Sequence, residues 1–254
     1  MESGSALSAA SARRLSAWFA LWLILGYVFA LYAGAIVADI VWDMAVGIRA
    51  GMHGGHIPPH LQPGNLALAW SVVTGMLLGA GWVTAFSWYY AKPWLREAGA
   101  TGVAWQRPTG RDAYFFAIVL AVGLAALVGL VEHLIPPDPE QLTGPLQRLA
   151  NSHGMAYVLF VIAAVGLAPA VEEFIFRGAA FAALAHRFGT AAAAVVTTLA
   201  FVVLHAADKI HYWPGFILVG CLAVTAIVLR LHYRSLWPGI LLHATYNGLL
   251  ILLS

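Results

Sequence analysis

Charged side chains are scarce in this chain of 254 residues, of which they make up only 9%. An ordinary soluble domain carries about 25%. Hydrophobic residues make up 61% and fall into long runs, and the net charge of +2 comes from basic residues scattered between those runs. No basic arm or patch of the kind that binds nucleic acid is present. The composition therefore predicts an integral membrane protein.

Several signatures of hydrolases and transporters are also missing. The lone cysteine, Cys221, allows no disulfide framework and has no CxxC companion for a thiolate metal site. The GxSxG and HExxH patterns are absent, so neither a serine nucleophile nor a zinc protease motif is present. No internal repeat is visible, which argues against an inverted-repeat transporter.

Seven apolar segments reach or approach the roughly 20 residues that a membrane-spanning helix needs. They cover about 15–43, 66–91, 113–135, 155–186, 190–207, 215–231 and 237–253. The pattern predicts an all-α, polytopic transmembrane bundle of about seven helices; an eighth would require splitting the first segment, where no break is visible. We expect three membrane helices with their loops in residues 1–150 and a four-helix catalytic core in residues 151–254.

The basic residues in the connections predict how the bundle is oriented. If the N-terminus is cytoplasmic, the basic residues on the cytoplasmic side are Arg13, Arg14, Lys92, Arg96, Arg107, Arg111, Arg187, Arg230 and Arg234. Those on the opposite side are Arg49, Arg148 and Lys209. Positive residues concentrate in cytoplasmic loops. The bias predicts a cytoplasmic N-terminus and an uncleaved first helix, and the Ala-rich chain suggests a bacterial inner (plasma) membrane.

The fourth segment carries an unusual charged stretch, VEEFIFRG from Val171 to Gly178. Ionisable residues inside a membrane are costly and mark functional sites by default. Glu173 and Arg177 are four residues apart, so they share a helix face and can form an ion pair. Glu172 lies about 100° around the helix from Glu173 and needs a different partner.

Polar partners for Glu172 stand in two other segments. His205 follows Phe201 by four residues in the fifth segment, and Asn247 follows His243 by four in the seventh. Measured from the cytoplasmic ends of their segments, near His186 and Thr190, Glu172 lies at a depth of about 21 Å and His205 at about 22 Å, so their depths agree. His243 lies only about 9 Å from Trp237, so we expect the SLWPG turn to dip into the membrane or the helix to tilt. Pro169 is expected to kink the helix beside the site.

This set of side chains suits hydrolysis by an activated water molecule. Glu172, close to His205, can take a proton from water, which then attacks a carbonyl. His243 and Asn247 can donate hydrogen bonds to the resulting oxyanion.

The same residues resemble the three motifs of the CPBP intramembrane protease family, which includes the CAAX prenyl endopeptidases and proteins of bacteriocin processing and self-immunity. EExxxR is matched by Glu172, Glu173 and Arg177, FxxxH by Phe201 and His205, and HxxxN by His243 and Asn247. The resemblance covers about residues 155–253. It implies a glutamate-dependent endopeptidase in which Glu172 and His205 activate water, His243 and Asn247 stabilise the oxyanion, and Glu173 and Arg177 hold the shape of the site. The family commonly has eight helices, one more than the segments found here.

The resemblance implies no cofactor, although a Glu/His/His set leaves zinc as an alternative. The expected partners are the lipid bilayer and a membrane-bound protein or peptide substrate, with a prenylated CAAX protein as one type. Two other functions stay open: a proton-coupled transporter or channel that uses the Glu/His set as a relay, and a catalytically silent member of the fold that binds a membrane partner.

Overall fold

A computed structural model describes residues 15–52, 54–55, 64–97, 99–138 and 144–253, and these ranges contain helices, turns and loops but no strand. The helices are α1 (Ala17–Met52), α2 (Asn65–Ala91), α3 (Ala113–Leu134), α4 (Pro145–Ala150), α5 (Met155–Phe188), α6 (Thr190–Leu204), α7 (Ala206–Lys209), α8 (Pro214–Tyr233) and α9 (Trp237–Leu253). A 3₁₀ turn, Lys92–Trp94, follows α2.

All seven apolar segments form helices, which confirms the predicted all-α polytopic bundle. Within the described ranges, α1, α2 with its 3₁₀ turn, α3, α5 and α8 are long and apolar enough to cross a membrane. Helices α6 and α9 are apolar but shorter, with 15 and 17 residues. Helix α1 is continuous over 36 residues, or about 54 Å, so the first segment is not split into two helices.

Helices α1 and α2 form a tightly packed pair because glycines line their contact. A Cβ atom on Gly75 would lie 2.4 Å from the backbone oxygen of Leu31, and one on Gly34 would lie 2.8 Å from the Cα of Gly75. The ring of Tyr27, which is buried, fills the space beside Gly79. Gly75 and Gly79 therefore serve a contact within the chain.

Helix α5 is the central element of the bundle. Its second half, from Ile175 to Ala185, is buried on all sides, as expected of a helix that is apolar around its whole circumference. Helices α1, α2, α6, α8 and α9 surround it, and α3 packs against α8 and α9 along a row of small residues. Those small residues, spaced by four, are Ala113, Ala117, Ala121 and Ala125.

The segment between α2 and α3 folds back against the bundle. The N–H of Val103 donates to the Trp94 carbonyl at 2.9 Å, and the N–H of Leu236 donates to the Ala104 carbonyl at 3.1 Å. Val103 is buried and would touch a Cβ atom at Gly178. The loop from the N-terminal half therefore lies between the α8–α9 turn and the middle of α5.

Candidate active site

The acidic pair lies on one α-helical turn between two π-helical segments of α5. Residues Ala168–Glu173 are α-helical, with π segments at Ile162–Leu167 and Phe174–Ala179 on either side. Single π turns inside α-helices occur frequently at functional sites. Each one changes the angular position of the residues after it, so the two segments set the direction in which the turn carrying Glu172 and Glu173 faces.

Pro169 and Asn247 explain how the first π segment ends. The N–H of Ala168 bonds to the carbonyl of Ala163, five residues back. The next bond in this register would run from position 169 to the carbonyl of Ala164, but proline has no N–H. The side-chain Nδ2 of Asn247 donates to that Ala164 carbonyl at 2.8 Å. Pro169 therefore leaves this carbonyl without a backbone donor, and a side chain from α9 binds it.

Glu173 has two partners, one of them not foreseen from the sequence. Its Oε1 lies 3.1 Å from Nη1 of Arg177, as the four-residue spacing predicted. The same oxygen accepts a hydrogen bond from Nδ1 of His243 at 3.0 Å. All three side chains are at least 97% buried. Glu173 therefore fixes the His243 ring with its Nε2 directed away from the carboxylate.

Phe201 lies against three basic side chains of the site. The guanidinium of Arg177 stacks over its ring at 4.1 Å from the centroid. The rings of His205 and His243 lie 4.5 and 5.8 Å from it, centroid to centroid. Phe201, the first residue of the FxxxH motif, is thus in contact with three polar side chains of the site.

Glu172 faces His205, as the sequence analysis proposed. Its Oε2 lies 3.9 Å from Nε2 of His205, which is too far for a direct hydrogen bond, and this oxygen has no hydrogen-bond partner in the described part of the chain. Nδ1 of His205 lies 2.9 Å from the carbonyl of Phe201, which can only accept, so Nδ1 carries a proton, and in the neutral ring Nε2 presents a lone pair. The His205 side chain is 23% exposed and that of Glu172 is 8% exposed, so the site opens on the His205 side.

The position of the α8–α9 turn resolves the depth mismatch of His243. Leu236, in that turn, lies against Gly178, ten residues before the end of α5, or about 15 Å along its axis. Trp237 contacts Trp105, whose ring packs edge-on against Phe174. Helix α9 therefore begins beside the middle of α5, and six residues bring His243 level with Glu173. Of the two options expected, the recessed turn is the one found.

Arg230 is a buried charge that the sequence analysis assigned to a connecting loop. Only 1% of it is exposed, and its Nε donates to the Arg177 carbonyl at 3.0 Å. The available signal was its position inside the apolar run of α8, between Leu229 and Leu231.

No group of three or more His, Cys, Asp or Glu side chains in the described ranges has an arrangement that could hold a metal ion. The side chains of Glu173 and Asn247 are already engaged, whereas Glu172, Nε2 of His205 and Nε2 of His243 each keep a potential ligand atom without being arranged to share one ion.

The comparison with family models covers the part of the chain that carries this site. Residues 154–249 match the model described as type II CAAX prenyl endopeptidase Rce1-like. This part of the chain is thus an Rce1-like domain of the CPBP family, and it includes every motif residue from Glu172 to Asn247. The resemblance found in the sequence is confirmed. No curated protein and no solved structure matches the chain.

Proposed function

We propose that the protein is an intramembrane endopeptidase that hydrolyses a peptide bond in a membrane-associated protein or peptide, using water activated by Glu172 and His205. The Rce1-like domain supports proteolysis at a membrane in general. The observation that carries the specific proposal is the pair of facing acceptors, Glu172 Oε2 and His205 Nε2, at 3.9 Å.

Two acceptors at this separation are suited to hold one water molecule. Water at about 2.8 Å from each atom donates one hydrogen bond to the carboxylate and one to the imidazole. Its lone pairs then point away from both groups and toward a substrate carbonyl. Glu172 takes a proton as the water oxygen attacks the carbonyl carbon, and returns it to the leaving amine when the C–N bond breaks.

His243 and Asn247 are proposed to stabilise the oxyanion that forms on the carbonyl oxygen. Nδ1 of His243 donates to Glu173, so Nε2 is the ring atom left to face the substrate, and it donates when the ring is an imidazolium. Asn247 uses one amide hydrogen on the Ala164 carbonyl and has a second hydrogen to give. Glu173, Arg177 and Phe201 then hold His243 and His205 in position.

We further propose that the reaction needs no metal ion. Nδ1 of His243 is directed to Glu173 and Nδ1 of His205 to the Phe201 carbonyl. A catalytic zinc ion usually requires three protein ligands. Nε2 of His243 is free to bind, but it does not form a three-ligand group with Glu172 and His205 in the described part of the chain. The proposed setting is a multi-pass protein of the bacterial inner membrane with a cytoplasmic N-terminus, as the basic residues indicate.

The test is cleavage of membrane-tethered and prenylated peptides in liposomes by the wild type and by Glu172→Gln and His205→Ala. Glu132→Gln and His232→Ala are matched controls because both side chains are exposed. We expect the first two variants to lose cleavage by at least about a hundredfold, the controls to retain it, and chelators to have no effect.

Other results would support the alternatives. Loss of cleavage on chelation with rescue by zinc would identify Glu172 and His205 as metal ligands. A proton flux that Glu172→Gln abolishes, without any cleavage, would indicate a transporter.

A further inference from the structure

Arg230 is a second buried arginine of the core, and no motif or family feature discussed above assigns it a role. It lies three residues before the end of α8 with 1% of its surface exposed. No carboxylate in the described residues lies within ion-pair distance of it. Its guanidinium stacks over the ring of Phe181 at 4.6 Å. Burying a cation without a counter-ion costs several kcal/mol, so its hydrogen bonds must offset a large penalty.

Those hydrogen bonds divide into two sets that leave the guanidinium in different directions. Nη2 donates to the carbonyls of Gly99, Ala100 and Gly102, in the loop between α2 and α3. Nε donates to the carbonyl of Arg177, in the second π segment of α5. Arg230 therefore joins the loop of the N-terminal half to the backbone beside the acidic pair.

The residue whose backbone Arg230 holds is itself a contact of the site. The Arg177 side chain pairs with Glu173 and stacks on Phe201. Glu173 in turn accepts the hydrogen bond from His243, and Phe201 contacts His205. A shift of the Arg177 backbone would pass to both histidines through these contacts.

We propose that Arg230 is a positioning residue that fixes the backbone of Arg177 and thereby the orientation of His243 and His205. The proposal rests on the proposed function for its effect on cleavage. The effect of Arg230 on the orientation of His243 does not depend on that function.

The two sets of hydrogen bonds can be separated with Arg230→Lys and Arg230→Met. Lysine donates only from its terminal nitrogen, so it can keep the loop carbonyls but has no group at the position of Nε. Methionine keeps an apolar stem but can form neither set of hydrogen bonds. Arg234→Lys and Arg234→Met are matched controls because that side chain is exposed near the same helix end.

We expect Arg230→Lys to keep a near-wild-type melting temperature while kcat falls about 10- to 100-fold with little change in KM, since small displacements of catalytic groups have effects of this size. Arg230→Met should lower both the melting temperature and kcat. A folded Arg230→Lys variant with kcat within twofold of wild type would overturn the proposal.

A second measurement is independent of cleavage. In the full chain with ¹⁵N-labelled histidine, the Nδ1 proton that His243 donates to Glu173 can be assigned by its loss in His243→Gln. We expect this resonance to shift in Arg230→Lys and to stay unchanged in Arg234→Lys. An unchanged resonance in Arg230→Lys refutes the positioning role, even if no tested peptide is cleaved and the proposed protease function fails.

Discussion

At the scale of single residues, the two adjacent glutamates have opposite environments. Glu173 pairs with Arg177 and His243 in a nearly dry setting. Oε2 of each glutamate lacks a hydrogen bond within the described structure, but Glu172, almost as deeply buried, has no ionic contact in the described residues closer than Nε2 of His205 at 3.9 Å. Removing one member of a buried ion pair strands the other charge, whereas neutralising an unsatisfied buried carboxylate removes a penalty.

We therefore expect Glu173→Gln and Glu172→Gln to differ in stability. Glu173→Gln should lower the free energy of unfolding by about 3–5 kcal/mol, because Arg177 is left without its counter-ion. Glu172→Gln should leave it unchanged or raise it, while abolishing cleavage. Reversible unfolding of both variants in mixed micelles measures the difference, and equal destabilisation by the two substitutions would contradict this assignment.

Phe201 offers a second test at this scale. Replacing it with leucine keeps an apolar side chain but removes the ring on which Arg177 stacks, and a desolvated cation–π contact is worth about 2 kcal/mol. We expect Phe201→Leu to lower the free energy of unfolding by about this amount. Cleavage should also fall, because both histidines contact the ring. Phe188→Leu is the control, since Arg187 lies over that exposed ring at 5.5 Å. Phe188→Leu should lower the free energy of unfolding by less than about 0.5 kcal/mol.

How far the site could be predicted from sequence depends on how local each contact is. The Glu173–Arg177 pair follows from a four-residue spacing on one helix, and it is found at 3.1 Å. The Glu173–His243 contact was missed because it depends on how deeply the α8–α9 turn is recessed beside Gly178. Arg230 was missed because a count of loop charges treats any arginine near a helix end as solvated.

At the scale of elements, α5 departs from regular α-helix geometry on both sides of the acidic pair, and each π segment has one carbonyl bound by a side chain of another helix. Asn247 from α9 binds the Ala164 carbonyl, and Arg230 from α8 binds that of Arg177. The kink expected from Pro169 could be predicted from the residue itself. The group that binds the released carbonyl could not be predicted, because Asn247 lies 83 residues further along the chain.

Pro169 and Asn247 should therefore be energetically coupled. Asn247→Ala leaves the Ala164 carbonyl without its donor, at a cost of about 1–3 kcal/mol in the free energy of unfolding. Pro169→Ala restores a backbone N–H that can bind the same carbonyl. In a double-mutant cycle we expect Asn247→Ala to cost at least about 1 kcal/mol less in the Pro169→Ala background.

Pro238→Ala provides the control cycle, since this residue lies at the start of α9, more than two turns from Asn247. Substitutions that far apart are usually additive. A Pro169–Asn247 cycle that is equally additive would show that the released carbonyl does not depend on Asn247.

At the scale of the whole molecule, the Rce1-like domain depends on a scaffold outside the matched residues. Helix α1 packs against α5 and α2, and the loop after α2 reaches Gly178 and Arg230. The sequence predicted the helices of this half from hydropathy. It did not predict their packing, because contacts between apolar helices are decided by small residues whose partners lie on another helix.

The α1–α2 contact can be tested at Gly75. A methyl group there would lie 2.4 Å from the backbone oxygen of Leu31, and a backbone atom cannot move aside as a flexible side chain can. We expect Gly75→Ala to force the two helices apart and to lower the free energy of unfolding by about 1–3 kcal/mol, the usual range for overpacking.

Gly81→Ala is the matched control on the same helix, because a Cβ atom there meets nothing within 4 Å. Alanine's better helix propensity should make that variant neutral or more stable by up to about 1 kcal/mol. Unfolding measurements, with spin-label distances between α1 and α2, distinguish the two variants. If both behaved alike, with no change in helix separation, the glycine contact would not be what holds α1 against α2.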